Sequence, residues 1–401
     1  MSHGPRIIDA SQMNLPAGSL WRRLPLIGAV AAVIGIATSL VLRGNDEKQF
    51  FYSWLVAFLY FMSVGLGALF FVLIQYATKS GWGIVVRRLA ENTAAALTVM
   101  VLAFIPVCLG LTRLYSWTDA AHLDAILQGK TWWLNSSRFL VFGLIYFGVW
   151  AFLAWWFRSG SVKQDETGDT DLTRRRVKWA GPGIILFALT TTLASFDWAM
   201  SLEPHWYSTI FGVYYFSGSL VGVFAFLSLV VIGLRRAGCL EGFVTTEHLH
   251  DLGKLLYAFI VFWAYIGFSQ FFLIWYANIP EETEWYLERL AHGWKPVTVF
   301  LAVFHFALPF FLLMSRHVKR KSLTLGLASA WMLVMHFIDL HWLVMPSFEE
   351  KGGFGFAVLD VTTMLGVGGL FLAAFGFFLT RAKLVPAKDP RLIESITFEN
   401  F

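Results

Sequence analysis

The hydrophobic residues of this chain come in ten long blocks separated by short polar stretches. Each block runs for about 20 residues or more without strict alternation, the length an α-helix needs to cross a hydrocarbon core roughly 30 Å thick. The blocks predict spans at residues 24–42, 50–78, 90–112, 138–157, 179–200, 209–234, 254–278, 296–315, 322–346 and 355–380. Backbone polar groups in lipid must be satisfied within their own segment, so we expect helices rather than barrel strands.

The composition agrees with a lipid environment. Hydrophobic residues make up 57% of the 401 residues and charged residues only 14%, whereas a soluble domain carries roughly 25% charged residues. We therefore predict an all-α, polytopic integral membrane protein.

The basic residues predict its orientation, because Lys and Arg near span ends collect on the cytoplasmic side. Of the 31 Lys and Arg residues, 23 fall on the side that holds both termini and eight on the opposite side. Both termini are therefore expected in the cytoplasm. The net charge of +5 belongs to helix ends that face lipid headgroups, which argues against nucleic acid as a partner.

A faint internal repeat suggests how the helices are grouped. The segment FDWAMSLEP (196–204) aligns with IDLHWLVMP (338–346), so that an aspartate and a proline coincide. Two four-helix bundles plus a flanking pair would follow, although chance remains an alternative explanation. The corresponding segments are 1–49 with the first helix, 50–200 and 201–346 with the two bundles, and 347–401 with the tenth helix and tail.

Ionisable side chains within lipid cost roughly 2.5–3.5 kcal/mol each on insertion scales, so each needs a partner, water or a function. The candidates inside the predicted spans are Asp197, His305, His336, Asp339, His341 and Asp360. One helical turn separates His336 from Asp339, which puts both on one face. Carboxylates beside imidazoles can pass protons, so a proton relay is our hypothesis. The alternatives are satisfied structural pairs and, for the shallow Asp360, simple hydration.

Resident cofactors are not expected. The two cysteines, Cys108 and Cys239, are predicted on opposite sides of the membrane, and there is no CxxC motif. Two deeply placed histidines, His305 and His336, do not make the paired axial ligands of a membrane haem, and no cluster has zinc spacing. We therefore predict no metal and no covalent cofactor.

Two outer loops, 113–137 and 279–295, are long enough to carry short helices at the membrane surface. The second places Trp285 among several glutamates, and tryptophans of this kind usually anchor a protein at the headgroup level. A docking surface for a partner is the alternative interpretation.

Three long stretches carry a family resemblance: YSWLVAFLYFMSVGLGALFFVLIQYATKSGWGIVVRRLAEN (52–92), SFDWAMSLEPHWYSTIFGVYYFSGSL (195–220) and IVFWAYIGFSQFFLIWYANIPEET (260–283). They resemble the ActF-type membrane subunits of bacterial alternative complex III, which have an NrfD-like (PsrC-like) fold. The resemblance implies a multi-pass subunit of the bacterial inner membrane within a quinol:electron acceptor (cytochrome c) oxidoreductase, without an active site of its own.

The same resemblance implies partners and site residues. Haem c and iron–sulfur clusters would reside in partner subunits beside an ActC-like paralogue, and quinol would be the substrate of the complex. Carried onto this sequence, the outer proton-path residues are Asp197 with His205, and Asp339 with His336 and His341. No motif assigns a quinone ligand, although Tyr214, Tyr215 and His205 could be combined into a pocket.

Two other functions stay open. A secondary transporter usually has helices interrupted near their middle in both halves, and here Pro309 alone lies well inside a span of the second half. A purely structural subunit is the other possibility. Co-purification with haem-containing subunits would separate the transporter from the two subunit hypotheses.

Overall fold

A computed structural model describes residues 9–44, 46–119, 121, 123–348 and 353–400. Ten helices in these residues are long and apolar enough to cross a membrane, and the described residues contain no strand. The helices are α1 Leu20–Arg43, α2 Glu47–Ala77, α3 Ile84–Leu109, α4 Ser136–Thr167, α5 Asp171–Trp198, α6 Phe211–Arg236, α7 Thr246–Ala277, α8 Lys295–Met314, α9 Ser322–Val344 and α10 Val358–Thr380. The prediction of an all-α, multi-pass membrane protein is confirmed. Arg6 and Lys351, two of the basic residues counted to predict the orientation, lie outside the described residues.

Three helices extend well beyond their predicted spans. α4 continues to Thr167 rather than 157, where Gly168 ends it in the left-handed conformation (φ 73°), as is common after a helix. α5 begins at Asp171 rather than 179, and α7 begins at Thr246 rather than 254 after the N-cap Thr245. Hydropathy detects only the part of a helix that lies in lipid, so these polar extensions were missed.

The helices pack in two groups of four. Within α2–α5 and within α6–α9 each helix contacts its neighbours, while α2 and α6 meet at the centre. A Cβ on Gly67 of α2 would lie 2.3 Å from the Ser219 carbonyl oxygen of α6, so these two backbones approach very closely. A single hydrophobic core runs through both groups. The boundaries of the four sequence segments stay a prediction.

The first and last membrane helices pack closely against each other along their length. α1 lies along α10, and small residues line the contact. A Cβ on Gly35 would stand 2.2 Å from the Gly366 nitrogen, and one on Gly28 would stand 2.4 Å from the Ala373 nitrogen. Such spacing lets two membrane helices gain van der Waals contact along their backbones.

Segments that were predicted on one side of the membrane lie together. We call this side inner, following the distribution of Lys and Arg. The Met13 carbonyl accepts from the Leu384 N–H at 2.7 Å, and Gln12 accepts in the same way from Leu240 at 3.2 Å. The N-terminal segment, the α6–α7 loop and the tail therefore share one end of the protein, as an even number of spans requires.

The outer loop between α7 and α8 contains the predicted short helix, Pro280–Glu288. Its Trp285 is buried (4% exposed) and stacks on Trp206 with ring centroids 4.7 Å apart. Trp342 of α9 meets the same ring edge-on at 5.4 Å. The expectation that Trp285 is a headgroup anchor is therefore wrong, because this helix packs its tryptophan onto protein and covers the outer end of α6–α9.

Candidate functional site

Three ionisable side chains meet in the interior of α6–α9. His305 of α8 and His336 and Asp339 of α9 each place one side-chain N or O atom within 4.8 Å of the others. All three side chains are buried, at most 1% exposed. We call this group the α8–α9 cluster. The sequence predicted that His336 and Asp339 share a face, and the structure adds His305 from the neighbouring helix.

A change in helix type accompanies His305. α8 contains a π-helical segment, Leu301–Ala307, and Pro309 follows two residues after its end. Proline has no N–H, so it cannot bond the carbonyl four residues earlier, which here belongs to His305. π-Helical turns are rare and are often found at functional sites. In the sequence, Pro309 therefore indicated an irregular helix around His305, although it was interpreted there only as the helix interruption of a transporter.

Neutral donors hold the Asp339 carboxylate. The Tyr214 hydroxyl donates to Oδ1, and the Trp263 indole N–H donates to Oδ2 at 3.2 Å. The Trp263 ring lies against His305 with centroids 3.8 Å apart. Within the described part of the chain, no Lys or Arg forms an ion pair with Asp339.

The imidazoles keep open nitrogen positions. His336 Nε2 shares a hydrogen bond of 2.7 Å with the Ser63 hydroxyl of α2, while its Nδ1 has no hydrogen-bond partner among the described residues. The same holds for both ring nitrogens of His305. Gly218 and Gly222 of α6 make room for the His336 ring, because a Cβ on either would stand 3.1 Å from it. These glycines therefore shape the site.

This arrangement suits proton exchange. A carboxyl group and two imidazoles can each take or release a proton. Buried polar atoms without partners are costly. Such sites are commonly satisfied by water, which also conducts protons between side chains.

A divalent metal ion is a second possible occupant of the cluster. Two imidazoles and one carboxylate are a known ligand set, and residue spacing could not reveal it because His305 comes from another helix. However, both oxygens of Asp339 already accept hydrogen bonds from Tyr214 and Trp263. Proton exchange uses the cluster as it stands, and we favour it.

The other predicted acid has a different environment. Asp197 of α5 is 1% exposed, and Arg138 of α4 forms an ion pair with it at 2.6 Å. The Tyr146 hydroxyl donates to its second oxygen at 2.7 Å. The Arg138 guanidinium also lies 3.4 Å from the centroid of the Trp133 ring. Arg138 was missed as a partner because the sequence placed it among the outer loop charges.

Aromatic rings fill the interior of α2–α5 near Asp197. Trp198 contacts Phe58, Phe104, Phe147 and Trp150 with ring centroids 5.1 to 5.8 Å apart. Packing of this kind leaves little room for water around the acid. The environments of Asp197 and Asp339 therefore differ in charge and in the neighbours available for proton exchange.

Asp360 and His341 form a third group at the outer end of α9 and α10. His341 Nε2 lies 3.6 Å from Asp360 Oδ2, and the Ser53 hydroxyl donates to Oδ1 at 2.6 Å. The Ala357 N–H donates to Asp360 at 2.7 Å, so the carboxylate caps its own helix. At 2% exposed, Asp360 is buried. The expectation that it is simply hydrated is therefore wrong.

His205 lies outside the membrane-spanning helices. Its side chain is 52% exposed and meets Asp124 of the outer loop at 2.6 Å. Tyr215 donates to the Leu59 carbonyl at 2.8 Å, whereas Tyr214 donates to Asp339. The pocket that could be combined from Tyr214, Tyr215 and His205 is thus not assembled, because each side chain has a different partner.

No protein-family model matches the chain, and no curated protein matches it either. The resemblance to ActF-type subunits therefore stays a prediction. The fold and the site define a class: a multi-pass α-helical membrane protein with a buried acid–imidazole cluster in its second group of four helices.

Proposed function

We propose that this chain is a membrane subunit of a quinol:electron acceptor (cytochrome c) oxidoreductase in the bacterial inner membrane, and that α6–α9 carries part of its proton path. The observation that carries the proposal is the α8–α9 cluster, in which Asp339 lies beside two imidazoles with open nitrogens and has only neutral donors. The type of complex rests on the resemblance of the three quoted stretches.

In this proposal the chain has no redox group of its own. Haem c and iron–sulfur subunits would carry electrons to the acceptor, and an ActC-like paralogue would complete the membrane part. The role of this chain would be to move protons released or taken up during quinol oxidation. Asp339 and His336 would exchange the proton, and the Ser63 hydroxyl at 2.7 Å from His336 would connect the cluster to α2.

The test is proton movement by the intact complex in sealed vesicles. Asp339→Asn keeps the size of the side chain and an oxygen that can accept from Tyr214, but it removes the group that titrates. We expect the rate of quinol-driven proton movement to fall by about tenfold or more, and electron flow to fall with it, since a positioned acid or base typically contributes roughly 10²–10⁴-fold to the rate of proton transfer. A pH-sensitive dye would report the proton movement and absorbance of the acceptor would report electron flow.

The matched control is Asp197→Asn, which changes the acid paired with Arg138. We expect the rate of proton movement to stay at the wild-type level in this variant. If Asp339→Asn also leaves this rate unchanged, the cluster does not conduct and the structural explanation holds.

The remaining functions give different results in two measurements. A transporter would purify without haem-containing subunits and would show substrate-dependent transport in vesicles made from the chain alone. A metal site would show one equivalent of a divalent metal in elemental analysis, and the metal would be lost in His305→Gln. Either outcome would replace the proton-path proposal.

A further inference from the structure

A cavity of about 730 Å³ opens at the inner end of the first group of four helices. Its lining comes from the end of α2, the loop to α3, the first turns of α3 and α5, and the tail at 389–391. The apolar block of α2 ends at 78 and that of α5 begins at 179. The cavity therefore lies where the hydrocarbon core gives way to the lipid headgroups.

Positive charge dominates this lining. Four basic residues and one acid are among the described residues that form it, namely Lys79, Arg87, Arg174, Arg391 and Asp389. Asp389 pairs with Arg87. Two acids outside the lining, Asp171 and Glu394, pair with Arg174 and Arg391 at exposed positions, where water and salt make ion pairs weak. The lining therefore keeps cations that can bind a further anion.

A buried arginine stands behind the cavity wall without a counter-charge. Arg176 is 2% exposed, and among the described residues its hydrogen-bond partners are the neutral Gln164 and Thr173. Its Nε and Nη1 have no hydrogen-bond partner there. The guanidinium lies 5.2 Å from the centroid of the Tyr76 ring, and both Tyr76 and Thr173 line the cavity. Because a buried charge without a counter-ion is costly, this cation favours an anion in the cavity.

The wall that α5 supplies continues into the membrane as an apolar surface. Val177 lines the cavity, and the helical period brings Gly181 and Ile184 onto the same face of α5. A Cβ on Gly181 would meet nothing within 4 Å, and the adjacent Ile185 is 64% exposed. A ligand whose charged head fills the cavity can therefore lay apolar chains along α5. A small soluble anion would leave this surface unused.

We infer that this cavity binds the phosphate of an anionic phospholipid in the inner leaflet. Phosphate oxygens accept charge-assisted hydrogen bonds from ammonium and guanidinium groups, and Lys79 and Arg174 offer both kinds in the lining. The depth of the cavity and the apolar face below it favour a lipid over a soluble phosphate. The inference goes beyond the proposed function, because it concerns the inner end of α2–α5 and does not depend on the α8–α9 cluster.

The test measures how the full chain in dodecyl maltoside binds a phosphatidylglycerol that carries a fluorescent acyl chain, with fluorescence anisotropy as the readout. Unlabelled phosphatidylglycerol should displace this probe at a concentration about fivefold or more below that of phosphatidylcholine, whose choline cancels the phosphate charge. Inorganic phosphate at the concentration that suffices for phosphatidylglycerol should leave the probe bound.

Two double variants that remove the same charge provide the structural control. Lys79→Gln with Arg174→Gln removes two exposed cations of the lining. It should weaken binding by about 30-fold, because each basic residue near an anionic headgroup contributes a factor of roughly five. Arg175→Gln with Lys178→Gln changes two exposed residues of α5 that do not line the cavity. Its affinity should stay within about twofold of wild type, since charges outside the site are screened.

Three results would overturn the inference. Equal losses in the two double variants would show a general attraction between the inner surface and anionic lipid. Displacement by inorganic phosphate as effective as that by phosphatidylglycerol would define a site for a soluble anion. Equal competition by phosphatidylcholine would show that the headgroup charge is not recognised. Circular dichroism and size-exclusion chromatography would check folding, and if the lining variant does not fold, the three competitors against the wild-type chain decide.

Discussion

The ion pair between Arg138 and Asp197 makes a strong prediction about stability. Their side chains are 11% and 1% exposed, and their closest atoms lie 2.6 Å apart. Arg138→Met keeps an unbranched side chain but leaves the Asp197 carboxylate buried with only neutral donors, Tyr146 and Trp133. Breaking a buried pair from one side costs roughly 3–5 kcal/mol, and because water can reach Arg138 in part, we expect about 3 kcal/mol.

Removing the acid instead should cost less. In Asp197→Asn the guanidinium keeps its position over the Trp133 ring, 3.4 Å from the centroid, and a cation–π contact retains roughly 0.5–2 kcal/mol. The double variant carries neither charge, so it lacks the unpaired carboxylate of Arg138→Met. We therefore expect it to be more stable than the sum of the single changes by about 1–3 kcal/mol, the usual coupling of residues in contact.

The assay is reversible unfolding of the purified chain in mixed micelles, followed by circular dichroism as the fraction of dodecyl sulfate is raised. Arg174→Met is the matched control, because Arg174 pairs with Asp171 on the surface, where the side chains are 81% and 60% exposed. Exposed pairs contribute roughly 0–1 kcal/mol. If Arg138→Met costs no more than Arg174→Met, or if the double variant is additive, the pair does not stabilise the fold as we argue.

Three further predictions concern packing, the cluster and pH. Gly35→Val should destabilise the chain by about 2 kcal/mol, because a Cβ there stands 2.2 Å from the α10 backbone and overpacking costs roughly 1–3 kcal/mol. Its control is Gly148→Val, where a Cβ would meet nothing within 4 Å. The free energy of unfolding of this control should stay within about 0.5 kcal/mol of wild type in the same assay. Ser63→Ala should cost about 1–3 kcal/mol in that assay by removing the 2.7 Å partner of a buried imidazole, and an unchanged midpoint would contradict this. Hydrogen bonds from the Leu127 N–H and then from His205 keep the pKa of Asp124 below its ordinary 3.8. The N-cap that Asp124 provides for the helix Ala125–Lys130 is therefore complete above pH 3.8 and is lost as the pH falls through the lowered pKa. Hydrogen exchange of Ala125–Lys130, corrected for intrinsic rates, should speed up only in that low-pH range.

The sequence predicted the membrane helices well because their signal is local. A block of about 20 apolar residues determines a spanning helix almost independently of its neighbours. The ends were harder to predict, since α4, α5 and α7 continue as polar helices beyond their apolar blocks. The Pro280–Glu288 helix was also predicted, but the burial of Trp285 depends on Trp206 and Trp342, which lie far away in the chain.

The site shows the same division between local and tertiary information. His336 and Asp339 are three residues apart on one helix, so the helical period predicted their common face. The addition of His305 required the packing of α8 against α9. The pairing of Arg138 with Asp197 was missed because a count of loop charges assigns each residue a side of the membrane, but not a partner.

The two acids that the sequence repeat aligns differ in what protonation would do to their surroundings. Protonating Asp197 would leave the Arg138 guanidinium without its counter-charge, so the pair resists any change of state. Among the residues that the structure describes, Asp339 has only Tyr214 and Trp263 as donors, and none of their cations would be left unpaired when it gains a proton. Both acids are buried, but a relay needs a group that can pass through both charge states at low cost. Our proposal therefore assigns proton exchange to α6–α9 and a structural role to the matching position in α2–α5.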